Sequence, residues 1–148
     1  MKKVLGIFIV ILMFASCGTN SKNSKNSDST DKKDVPVDII GKYTILKLDS
    51  LNLNDYDFGN KIPLIAFDNE KKTYSTNIGC NQISGKYEID RSDIKMYLGV
   101  STMMACPDDL EKRYIKALSE VDNFIIEDFQ LKLYKNEDLR IVLLPTKR

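Results

Sequence analysis

A chain of 148 residues, 43% apolar and 29% charged, is long enough for one globular domain and leaves no room for a second core. Its 22 basic and 21 acidic residues nearly cancel, which excludes electrostatic recruitment of nucleic acid. Histidine is absent, and with it the usual general base, the Ser-His and Cys-His pairs and the commonest neutral metal ligand.

Residues 1–16 read as an export signal: cationic Lys2 and Lys3, an apolar run from Val4 to Ala15, and a small residue before the cleavage point. The run is shorter than the roughly 20 residues that cross a bilayer core of ~30 Å, so it is a signal and not an anchor. Phe14-Ala15-Ser16-Cys17 resembles the bacterial lipobox, with Phe14 where Leu is usual. The resemblance implies cleavage before Cys17 and attachment of a lipid, with fatty chains such as palmitate, to its thiol. Loss of Lys2 and Lys3 leaves 20 basic against 21 acidic residues, a net charge of −1.

Residues 17–38 are expected to be the lipidated cysteine and a disordered polar tether. Gly18 to Asp34 holds no Val, Ile, Leu, Met or aromatic residue and repeats Ser-Lys-Asn. Its root-mean-square reach is on the order of 20 Å, enough to clear the lipid headgroups. The expected address is the cell envelope, with the membrane as partner through Cys17. Gly18 is not the Asp of inner-membrane retention, so resemblance places the protein on the periplasmic face of the outer membrane in a Gram-negative cell.

From residue 39 to 148 the composition becomes that of a folded domain. Tyr43 to Leu48, Pro63 to Phe67 and Thr73 to Ile78 are rich in aromatic and β-branched residues between Gly, Asn and Asp clusters, which predicts strands. Tyr87 and Ile89, then Ile94, Met96 and Leu98, alternate with polar residues, the period of a sheet with one wet face. Leu110, Tyr114, Ala117, Leu118 and Val121 fall at i, i+4, i+7, i+8 and i+11, one stripe of a helix. Asp108 and Glu111 form a carboxylate version of the capping box at its start, and its charged residues read as a solvated face. Phe124 to Ile126, Leu131 to Tyr134 and Leu139 to Leu144 predict three more strands, the last two joined at Lys135-Asn136-Glu137-Asp138. The expected class is α+β, mainly β: a curved antiparallel sheet or small barrel with one helix inserted before the last three strands.

Three cysteines become two once Cys17 is lipidated. Cys80 and Cys106 are then expected to pair in an oxidising compartment. Closing that loop stabilises by roughly 3 to 4 kcal/mol in the chain-entropy model.

Gly41-Lys42-Tyr43-Thr44-Ile45, Pro63 to Phe67, Gly79-Cys80-Asn81, Gly85-Lys86-Tyr87 and Thr102-Met103-Met104-Ala105-Cys106 follow one another in an order that resembles the META domain family, the domain of HslJ-like heat-shock-inducible lipoproteins. Tyr43 stands where the family often has Trp. The resemblance implies an envelope protein linked to stress tolerance, with no agreed enzymatic activity. The residues singled out are Gly79, Cys80, Asn81, Gly85, Thr102, Met103, Met104 and Cys106. In the preferred reading Gly79 and Gly85 supply special backbone conformations, Asn81 bonds a turn, Thr102 caps a strand end and the cysteines staple the loop.

The expected function is therefore non-enzymatic: an envelope lipoprotein in stress tolerance or in binding another envelope protein, without cofactor or resident metal and acting as a monomer. The alternatives are a module for a small ligand or soft metal on the Cys80/Cys106 loop, where Met103 and Met104 add Cu(I)-type ligands, and, remotely, a two-carboxylate hydrolase.

Overall fold

The computed structural model describes residues 38–107 and 109–146. The signal, Cys17, all but the last residue of the tether, and Asp108 lie outside the described residues.

Nine strands follow one another: β1 (Gly41–Leu48), β2 (Leu51–Asn52), β3 (Leu64–Asp68), β4 (Thr73–Asn77), β5 (Gln82–Asp90), β6 (Asp93–Ser101), β7 (Asn123–Glu127), β8 (Gln130–Lys135) and β9 (Asp138–Pro145). Among the described residues the single α-helix, α1 (Leu110–Glu120), stands between β6 and β7. All pairings are antiparallel, and each strand from β3 to β9 lies beside its neighbour in sequence. Because β1 pairs with both β3 and β9, the sheet closes into a ring. Closure removes most of the unpaired edge that an open sheet would present.

The seam between β6 and β7 is narrow. The strands pair at Asp93↔Asn123, flanked by Ile94 N–H to the Asp122 carbonyl at 3.0 Å and Phe124 N–H to the Ser92 carbonyl at 2.9 Å. Beyond Asp93, among the described residues, β6 is paired on its β5 side alone. The chain crosses from β6 to β7 through α1, and the helix packs on β6 and β9.

Alternation decides the interior. Tyr43, Ile45, Ile65, Phe67, Tyr74, Ile83, Tyr87, Leu131, Leu133, Ile141 and Leu143 point inward and are buried, while their strand neighbours are wetter. Phe67 meets both Tyr43 and Tyr87 edge-on, with ring centroids 5.9 and 5.2 Å away. The predicted stripe of α1 joins this core: Leu110, Tyr114, Ala117 and Leu118 are buried, as is Val121 just past its end. Tyr114 places its hydroxyl 2.7 Å from Thr76 Oγ1, which donates to the Leu64 carbonyl at 2.8 Å, so the helix is bonded through the core to β4 and β3. The ring is thus filled by packed side chains.

The predicted connection at Lys135–Asp138 is a two-residue turn, with Asn136 in the left-handed region at φ 53. Asp122 receives the Asn136 N–H at 2.8 Å and the Lys135 ammonium at 3.0 Å, tying this turn to the start of β7. Arg140 on β9 spans Asp49 (2.6 Å) and Glu120 (2.9 Å), which offsets an acid at the unfavourable C-terminal end of α1. Sequence pattern did not predict β2 or the 3-10 turn Leu53–Asp55 after it; Leu53 is buried there within a segment rich in Asn and Asp.

Candidate functional site

Of the residues that carry the family resemblance, Gly79, Cys80, Asn81, Thr102, Met104 and Cys106 meet at one junction, at the corner between β4 and β5 and the segment after β6, while Gly85 stands apart within β5. Asn77 shapes the corner: its side chain accepts the Gly79 N–H at 2.7 Å and donates to the Asn81 carbonyl at 3.0 Å. Gly79 has φ +115, and a Cβ there would stand 2.7 Å from the Phe58 ring, so both backbone conformation and space require glycine.

Asn81 is 4% exposed and is the centre of the junction. Its Oδ1 accepts from the Met104 N–H and from Thr102 Oγ1, both at 2.8 Å. Its Nδ2 donates to the Met104 carbonyl at 3.2 Å and to Glu111 Oε1 at 2.8 Å, and approaches Cys106 Sγ at 3.2 Å. Its backbone N–H donates to Glu111 Oε2 at 2.6 Å. Thr102 also accepts the Gln82 N–H at 3.1 Å, while its own N–H donates to the Gln82 carbonyl at 3.1 Å. One amide thus fixes the backbone of the loop between β6 and α1, and the Cys80–Cys106 disulfide closes the same corner with Cα atoms 5.9 Å apart, inside the window that a disulfide requires.

Three expectations are corrected here. Glu111 is not part of a solvated face: it is 9% exposed, and its carboxylate is turned to Asn81, while Asp108, the other half of the expected capping box, lies outside the described residues. The residue before the helix is Asp109, whose side chain makes no cap bond. Asn81 bonds a distant loop and the helix rather than its own turn. Gly85 is required by close approach and not by a special conformation, since a Cβ would overlap the Tyr97 carbonyl oxygen and press on Tyr74.

Glu111 was absent from the residues singled out, although a signal for it exists. Glu111, Tyr114 and Leu118 fall at i, i+3 and i+7, which places the carboxylate on the buried stripe. The first turn of α1 suits it, because helix N-termini favour negative charge. Of the two methionines, Met104 is held by its backbone, while the Met103 side chain is 98% exposed. Next to them the second half of β6 places Tyr97, Leu98 and Val100 at the surface, Val100 at 75%. Leu98 lies opposite Gly85, beside a register shift between Ile83 and Gly85, and is 43% exposed although Ile94 and Met96, four and two residues earlier, are buried.

Among the described residues, the junction presents no nucleophile paired with a base. Elsewhere burial holds two core tyrosines protonated: Tyr74 is pushed up to about 12, and Tyr114 is raised further, its burial outweighing the Thr76 bond.

A family model described as the META domain matches residues 39–148. Solved structures with the same fold include a DUF4847 family protein from Bacteroides vulgatus, at 13% identity and TM-score 0.54, covering 73% of this chain and 94% of that one. Another is a protein from Burkholderia xenovorans, at 18% identity and TM-score 0.57, covering 73% and 83%. Comparison with curated proteins gives no match.

Proposed function

Because the chain belongs to the META domain family, we propose that it is a non-enzymatic lipoprotein of the cell envelope, anchored by a lipid on Cys17, whose domain binds an extended segment of another envelope protein and so contributes to stress tolerance. The observation that carries this reading is a contrast between adjacent stretches. Asn81, Thr102, Cys80, Cys106 and Glu111 satisfy one another, whereas Tyr97, Leu98, Val100 and Met103 stand exposed beside them. The junction is a rigid support, and the strand it holds is half-paired past Asp93.

An extended peptide suits such an edge, because main-chain bonds give affinity and alternate side chains give specificity. A small ligand inside the ring is disfavoured by the packed aromatic core.

Two arms test the proposal in cells. Metabolic acyl labelling should mark the wild-type protein and not Cys17→Ser; equal labelling overturns the anchor. A photo-crosslinking residue at Met103 should give a discrete adduct with an envelope protein that Val100→Asp abolishes, while the same probe at Lys112 gives none. Equal adducts at both places, or indifference to Val100→Asp, overturn the docking edge.

A further inference from the structure

The Sγ atoms of Cys80 and Cys106 and a carboxylate oxygen of Glu111 all lie within 4.8 Å of one another. The Asn81 amide nitrogen faces all three, at 3.7 Å, 3.2 Å and 2.8 Å respectively. While the sulfurs are bonded to each other they are poor ligands. Reduction changes the chemistry of the cluster: a dithiol reductant is oxidised to its disulfide, the Cys80–Cys106 bond breaks, and each sulfur leaves with one proton.

Two thiols and a buried carboxylate then share a small volume. Ionising both thiols would gather three negative charges, which is unfavourable unless a cation enters. Thiolate sulfur and carboxylate oxygen are the ligand types of zinc, and three protein ligands leave a fourth position for water. We propose that Cys80, Cys106 and Glu111 form a redox-gated site for a thiophilic divalent cation of the zinc class, closed in the disulfide form and available in the dithiol form.

Binding balances as one divalent cation taken up and two thiol protons released. Asn81 is the positioning residue. It already holds both Glu111 oxygens, each of which keeps a second lone pair for a cation, and such outer-shell donors orient metal ligands. The cysteine Cα atoms, 5.9 Å apart, allow the sulfurs to separate around an ion by side-chain rotation. The site differs from the methionine-rich set suggested by sequence, because Met103 points to solvent and Glu111 takes that place. It does not depend on the docking edge of β6.

The test is a titration of the full-length protein in detergent with Zn2+ alone against a chromogenic chelator, with and without prior reduction and anaerobic removal of the dithiol. One ion per chain, with proton release, should bind the reduced protein and none the oxidised one. Glu111→Gln, which keeps an oxygen for Asn81, should weaken binding at least about tenfold, and Cys80→Ser should abolish it. Far-UV circular dichroism monitors the fold throughout. Equal binding by oxidised and reduced protein, unchanged affinity in Glu111→Gln, or a reduced protein that unfolds and is not restored by Zn2+ overturns the proposal.

Discussion

Asn81 holds both oxygens of the Glu111 carboxylate, one through its backbone N–H at 2.6 Å and the other through its side-chain amide at 2.8 Å, across 30 positions of sequence. Removing the amide takes the acceptor from the Thr102 hydroxyl and the Met104 N–H at the surface and a donor from the buried Glu111 carboxylate. Asn81→Ala should therefore cost about 1 to 3 kcal/mol in urea denaturation, the cost of leaving one buried polar group unpaired. Asn81→Asp is nearly isosteric but sets one carboxylate against another.

The disulfide should account for both cysteines of the domain. Thiol labelling of the denatured, unreduced protein with Cys17 lipidated should find no free cysteine, and reduction should release two. Cys80→Ser should lower stability by ~2 to 4 kcal/mol, yet leave the junction partly formed through Asn81. Reactive thiols in the folded, unreduced protein would contradict the staple.

The two faces of α1 should respond differently. Leu118 is fully buried, and Leu118→Ala should cost about 2 to 5 kcal/mol. Lys112 is exposed, and Lys112→Ala should cost under about 0.5 kcal/mol. Equal losses in thermal or chemical denaturation would mean that the helix does not pack by this stripe.

Tyr114 gives the fold an alkaline limit. Burial raises its pKa above the ordinary 10.0, so the folded state binds the phenolic proton more tightly than the unfolded chain. That contribution is complete below about pH 10 and is lost as the pH rises through the folded value. Tyr114→Phe should cost about 1 kcal/mol at neutral pH through the lost Thr76 bond, and its stability should fall less steeply above pH 10. Some slope should remain, because Tyr74 is also raised, to about 12.

The strands and the helix were legible in sequence because burial on one side writes a period into the chain. Tyr74, Thr76 and Ile78 keep a period of two on β4 and just beyond it, and Leu110 to Val121 keep that of a helix. The seam at Asp93 was not legible, since periodicity reports which face is buried and not how far two strands run together. Glu111 was missed because a carboxylate was assigned outward by type, although its spacing put it inward. Its burial is favourable only because Asn81, far off in sequence, supplies two donors. The role of Asn81 was hidden for the same reason: a Gly-Cys-Asn corner carries a local turn signal, and the partners that matter lie on another element. Gly85 was legible as a constrained position but not in its cause, which is a carbonyl on the neighbouring strand.

A double-mutant cycle between Asn81 and Glu111 tests most directly whether the motif residues are a mutually dependent support. Asn81→Ala, Glu111→Ala and the double variant should be compared by urea denaturation under oxidising conditions. The interaction should appear as a coupling of about 2 kcal/mol, the double variant losing less than the sum of the singles. Additive losses would contradict the account, because Asn81 and Glu111 would then act apart and the junction would not be the unit on which β6 and α1 are held.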